Sequence, residues 1–266
     1  MKETSRQGVW QVPVYYVFGV LLLGLAIGYS FQMPWATGTW MWPDGRLSYL
    51  FVGSMIAAIA AGMLGVAYKQ EWAGGFAGSL NWTVSFAVMG FMLFSMSDNP
   101  ETPGAASYAI GFLAAAIWSL GYGLTLRHYS PRDTRRIPPL VRYSFLAFLI
   151  VLAFVATALL MTAPHVFPWP LKPQSSVMFG SLFLGSAVYF VYGFLRPCWG
   201  VAQSQLLAFL AYDLVLIVPY LQHFSTVKPE HYMSLIVYTI VIVYSMAMSV
   251  FYLFIKKESS LFRASA

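Results

Sequence analysis

The sequence predicts an all-α integral membrane protein, with eight transmembrane helices arranged as two parallel four-helix repeats and both termini cytoplasmic. Three observations carry this expectation. Of 266 residues, 59% are hydrophobic and only 9% charged, far below the roughly 25% charged residues of a soluble domain. Eight apolar stretches, approximately 13–32, 48–68, 74–96, 104–126, 140–162, 176–196, 200–222 and 232–255, reach the length a helix needs to cross hydrocarbon. Residues 42–72 also recur without a gap as residues 169–199, 127 positions later.

The recurrence divides the chain. Trp42 and Pro43 return as Trp169 and Pro170, Gly53 and Ser54 as Gly180 and Ser181, Ala60 as Ala187, and Trp72 as Trp199. The same offset pairs Val14, Tyr16 and Leu22 with Val141, Tyr143 and Leu149. Residues 1–126 are then the first repeat, 127–139 a basic cytoplasmic linker, and 140–266 the second repeat. Four spans per copy preserve direction, so the copies should be related by a pseudo-two-fold axis along the membrane normal, with a seam between them.

Taken in order, the first apolar segment is long enough to span and lacks a small-residue cleavage site, so it is expected to remain as a helix. A Trp-Pro segment follows the first span of each repeat. Its prolines and aromatics suit an interfacial loop, because extended chain in hydrocarbon would leave its backbone groups unpaired. Trp42, Pro43, Trp169 and Pro170 are the interfacial-loop residues on the outer side, and Trp72 and Trp199 mark the cytoplasmic interface. The second span of each repeat is rich in small residues. Ala57, Ala61 and Gly65 share one helical face of span two, and Gly180, Ser181, Gly185, Ser186, Ala187 and Gly193 make span six similarly small-faced, allowing close helix approach in lipid. Spans three and seven open on the softer runs Ala73-Gly74-Gly75 and Gln203-Ser204-Gln205.

Orientation follows from the basic residues. With the N-terminus inside, Lys2, Arg6, Lys69, Arg127, Arg132, Arg135, Arg136, Arg142, Arg196, Lys256, Lys257 and Arg263 face the cytoplasm, and only Arg46, Lys172 and Lys228 lie outside. The net charge of +6 is therefore an orientation signal, and no basic stripe with interleaved aromatics points to nucleic acid.

Chemistry concentrates at one position. Of nine acids, only Asp213 falls within a span, and its counterpart in the first repeat is Phe86. An ionisable residue at membrane depth is a functional-site hypothesis by default. Without a basic partner in the spans it is neutral, solvated in a cavity, or bound to a cation. Tyr238 and Ser245, seven residues apart on one stripe of the eighth span, together with Gln205 and Asn81, complete the candidate substrate- or ion-binding set. Pro219 removes one backbone donor six residues beyond Asp213.

Absences narrow the classes. No His or Lys lies in a span, which argues against histidine-ligated haem and a retinal Schiff base. No Walker motif, nucleophile elbow or zinc-protease motif occurs. Neither a metal nor another cofactor is expected, and the single cysteine, Cys198, excludes an intramolecular disulfide. Asp44, His165, Glu230 and His231 are the only acid/base groups near an interface that a lipid-modifying enzyme would have to use.

The Trp-Pro loop followed by a small-residue span resembles multi-pass bacterial membrane proteins with duplicated halves and no characterised activity. That resemblance implies a bacterial plasma-membrane location. The functional expectation is a transporter-like or channel-like protein for a small or apolar solute, with Asp213 as proton or cation site. The alternative is a non-catalytic accessory or structural subunit of a larger membrane complex. The expected partners are the lipid bilayer and either a second copy of the chain or other membrane subunits.

Overall fold

The computed structural model describes residues 10–40, 42, 45–99, 102 and 104–262. Lys2, Glu3, Arg6, Pro43, Asp44, Glu101 and Arg263 lie outside the described residues. The described chain is helical, and its β structure is one isolated antiparallel bridge, Arg136 with Cys198.

Eight helices are long and apolar enough to cross a membrane. They are α1 (Gln11–Ser30), α2 (Arg46–Lys69), α3 (Trp72–Ser95), α4 (Ala105–Leu126), α5 (Pro139–Leu160), α6 (Pro173–Leu195), α7 (Trp199–His223) and α8 (Tyr232–Val250). A π-helical turn, Phe251–Ile255, extends α8. Each matches an apolar stretch of the sequence to within three residues, counting that turn as part of α8. Large side chains such as Phe154 and Trp118 remain more than 70% exposed. Hydrocarbon, not water, is the medium that tolerates such surfaces, which α1, α3, α4, α5, α7 and α8 all present.

Sequence chemistry explains where the helices stop. Gln70 adopts a left-handed conformation (φ 51°) after α2. Its N–H bonds to the Ala67 carbonyl at 3.2 Å and that of Glu71 to Val66 at 3.0 Å, the double closure of a Schellman motif. The same closure ends α1, through Gln32 (φ 52°) and Met33, and α5, through Thr162 (φ 52°) and Ala163. Proline at the first turn starts α5 and α6, where its missing N–H has no intrahelical partner to lose.

The chain forms two compact units. The first comprises residues 1–74, 131–136 and 198–266, and so contains α1, α2, α7 and α8. Its densest pairing is α1 on α2, followed by α2 on α7 and α7 on α8. Gly53 is where α2 meets α1: a Cβ there would lie 2.7 Å from Ser30 Oγ and 3.0 Å from the Ala26 carbonyl. Gly65 seats Leu207 of α7, and Phe51 meets Tyr212 edge-on at 6.1 Å.

The second unit comprises residues 75–130 and 137–197, and so contains most of α3 with α4, α5 and α6. Here α5 on α6 is the dense pair. Gly180 is its contact point, a Cβ there lying 3.0 Å from Leu160 N and 3.1 Å from the Ala156 carbonyl. Gly185 of α6 faces α3 so closely that a Cβ would overlap Ser85 Oγ and the Asn81 carbonyl. Phe76 meets Tyr192 edge-on at 5.4 Å, and Ser119 Oγ of α4 donates to the Ser79 carbonyl of α3 at 3.0 Å. The small faces of α2 and α6 thus admit, above all, the helix that precedes each in sequence.

Candidate functional site

The α7–α8 hairpin of the first unit pairs Tyr220 with Tyr238 at 6.3 Å between rings and Asp213 with Ser245. The two pairs have the same sum of residue numbers, so Pro219 does not shift the pairing. At the start of α7, Trp199 packs on Tyr252 at 6.3 Å between rings, and the turn after the π-helical segment folds back so that Ser259 meets both. Since Pro219 lies inside a continuous α7, the proline marks no break.

Asp213 and Ser245 are both 0% exposed. Ser245 Oγ lies 2.8 Å from Asp213 Oδ2, 2.8 Å from the Val241 carbonyl and 3.2 Å from that of Ile242. Asp213 Oδ1 is buried without a hydrogen-bond partner among the described residues, and so is Ser249 Oγ, one turn beyond Ser245 on the same helix. Tyr220 is fully buried on α7. The sequence-predicted Asp213, Ser245 and Tyr238 are thus brought onto one hairpin, with serine, not tyrosine, as the hydroxyl on the carboxyl group.

The remaining predicted residues lie elsewhere. Gln205 is 0% exposed, two turns from Asp213 toward the start of α7. Asn81 belongs to the second unit, where its Oδ1 accepts from Ser85 Oγ at 3.2 Å. Trp42 and Trp169 are each 7% exposed, Trp72 is 5% and Trp199 1%. These indoles therefore pack against protein, and what faces outward near Trp169 is Pro170. Trp169 meets Phe167 edge-on at 4.9 Å, and Phe167 packs on Phe179 at 5.4 Å. Trp72 lies edge-on to Tyr15 at 5.2 Å, and Trp199 Nε1 donates to the Ser259 carbonyl at 3.1 Å. After α1, the one-turn helix Pro34–Thr37 brings Trp35 and Ala36 back onto Gly28.

A second polar cluster in the first unit centres on Glu71, which is 3% exposed. Both its carboxylate oxygens accept from the Arg132 N–H, and Oε2 also from that of Asp133, all at 3.0 Å. Gly200 leaves the room: a Cβ there would collide with the carboxylate. Burial pushes the Glu71 carboxyl above the ordinary carboxylate range against the pull of the Asp133 and Arg132 amides. Burial also works to raise Asp133, but the Arg135 side chain and backbone N–H outweigh it and hold that carboxyl below its usual value.

The linker carbonyls are engaged as well. Trp199 N–H donates to Arg135 O at 2.7 Å and Gly200 N–H to Asp133 O at 3.1 Å. Arg135 Nη1 in turn donates to the Glu258 carbonyl, and Gln203 Nε2 lies 3.4 Å from Ser259 O. Glu71, Gly200 and Ser259 were not sequence candidates. In sequence Glu71 is one acid in a short turn beside Lys69, with nothing in the spacing to signal burial.

With this geometry in place, comparison with protein-family models, curated proteins and solved structures returns no match. The functional reading rests on the chain's own residues.

Proposed function

We propose that the chain is a plasma-membrane protein of bacterial type, transporter-like or channel-like for a small or apolar solute, with Asp213 as its reversible proton or cation site. The observation that carries this reading is the environment of Asp213. Its carboxyl group is buried and forms no ion pair among the described residues. One oxygen contacts Ser245, and the other has no partner among the described residues. A group so placed is costly to retain in a purely structural role, and intramembrane acids commonly mark ion pathways.

The orientation that goes with the reading has both termini in the cytoplasm, supported by twelve basic residues on that side against three. Two duplicated halves entering the membrane in the same direction are supported by the Trp-Pro, Gly-Ser and Trp recurrences at one offset.

The test is a proteoliposome holding a trapped pH-sensitive dye. Wild-type protein should hasten the decay of an imposed pH gradient, alone or on addition of a co-transported solute from a panel, and Asp213→Asn should lower that rate at least about tenfold, an energetic effect of about 1.4 kcal/mol. Equal rates for the two proteins across the panel would sink the proposal.

A further inference from the structure

We propose that the ion held by Asp213 is a proton, carried on Oδ2 and donated to Ser245 Oγ, and not an alkali-metal cation. This rests on the proton-or-cation reading above and decides between its two arms.

The first ground is a count of hydroxyl protons. Ser245 Oγ is within 2.8 Å of both Asp213 Oδ2 and the Val241 carbonyl. A serine hydroxyl has one proton to donate. If Asp213 is ionised, that proton must go to the carboxylate, and the 2.8 Å approach to Val241 then sets two acceptor oxygens against each other. If Asp213 is protonated, Oδ2–H donates to Ser245 Oγ and the serine proton passes on to Val241 O. Every oxygen in that short chain then has a donor or an acceptor opposite it. Protonation forms one O–H bond at Oδ2 and neutralises the carboxylate, with bulk water as the source and sink of the proton.

The second ground is Oδ1, buried without a partner among the described residues. On an ionised carboxylate it would carry about half a charge with no donor to meet it. On a neutral acid it is a carbonyl oxygen, far cheaper to leave unbonded. The third ground is what a bare cation requires, namely several oxygens to replace its hydration shell. Beyond Ser245, the additional buried serine hydroxyl within one turn on α8 is Ser249, and Tyr244 beside it is exposed. The ionisable neighbours are phenols, Tyr212 and Tyr220 on α7 and Tyr238 on α8, while α2 presents Phe51 to Tyr212. No group of three or more His, Cys, Asp or Glu placed to hold a metal ion occurs among the described residues.

Infrared difference spectroscopy of the full chain in lipid nanodiscs tests this, in a Glu71→Gln background that removes the other buried carboxyl group among the described residues from the spectrum. Near neutral pH the protein should show the carbonyl stretch of a protonated carboxylic acid, shifted by deuterium exchange. Asp213→Asn should abolish the band. Ser245→Ala should move it to higher frequency as its hydrogen bond is lost, which identifies the band even if the Asn variant does not fold. Replacing choline chloride with sodium or potassium chloride should leave the band unchanged and release no protons to a dye in solution. Absence of the band, a band unmoved by Ser245→Ala, or proton release on adding sodium would each overturn the proposal. A normal band in a protein that dissipates no gradient would instead refute the transport reading alone.

Discussion

At the residue scale, Glu71 and Asp133, two acids outside the spans, titrate with opposite consequences for stability. Asp133 is held below its unfolded value by Arg135, with burial working against that effect. Its contribution is complete above the ordinary aspartate value of about 3.9 and is lost as pH falls through the depressed folded value. Glu71 is raised by burial, so the folded state keeps its proton where the unfolded chain has released it. Stability therefore falls as pH rises from the ordinary glutamate value of about 4.3 through the raised folded one. Melting curves in detergent across acid to neutral pH should show a flattened acid limb for Asp133→Asn and a removed upper decline for Glu71→Gln. Identical pH profiles for wild type and variants would contradict both assignments. Asp213 was legible in the sequence because it is the one acid in a hydrophobic run. Its partner was legible only as one hydroxyl among several, since helical spacing places Ser245 on a stripe and leaves the hairpin register undetermined.

At the element scale, close helix contacts are set by single glycines. Gly185→Ala would drive a methyl group into Ser85 and Asn81, an overpacking that costs about 1–3 kcal/mol. Gly78→Ala meets nothing within 4 Å and should be neutral or slightly stabilising, by about 0.5–1 kcal/mol in a helix interior. Thermal denaturation of the two variants in one detergent compares them directly, and equal melting points would contradict the described α3–α6 contact. The C-terminal turn is a second element with a definite role. Truncation after Lys257 removes the acceptors of Trp199 Nε1 and Arg135 Nη1, and should raise the maleimide labelling rate of the native Cys198 several-fold. Helix positions were legible because a run of about 20 apolar residues has few alternatives in lipid. Register between elements was less so. The sequence identities align at an offset of 127, and the buried faces of α2 and α6 follow it. The Schellman closures of α1 and α5 instead lie 130 apart, because the loop after α1 has room for the extra turn Pro34–Thr37. Identities among apolar residues inside a helix constrain register weakly, and the cap geometry that fixes it comes from backbone bonding.

At the scale of the whole molecule, grouping by contact differs from grouping by recurrence. Each compact unit draws two helices from residues 1–126 and two from residues 140–266. Residues 1–130 and 131–266 made as separate chains should therefore each be sensitive to protease, and co-expression should restore the resistant form. A protease-resistant core in either fragment alone would show that contact within one sequence half suffices. Native electrophoresis after mild solubilisation bears on the accessory-subunit alternative, for which a migrating species larger than a homodimer is expected. Sequence periodicity could not reveal the exchange, because in lipid the outer surface is as apolar as the interior and marks no partner. The exchange has a consequence for synthesis. Residue 198 emerges about 120 residues after the close of the α1–α2 hairpin, a delay on the order of 6–25 s at ordinary translation rates. For that interval Phe51 and Gly65 lack α7 to cover them, while the linker amides that cover the Glu71 carboxylate follow after about half the delay. Whatever inserts this protein must shelter a half-built unit while four further helices, all belonging to the other unit, pass through.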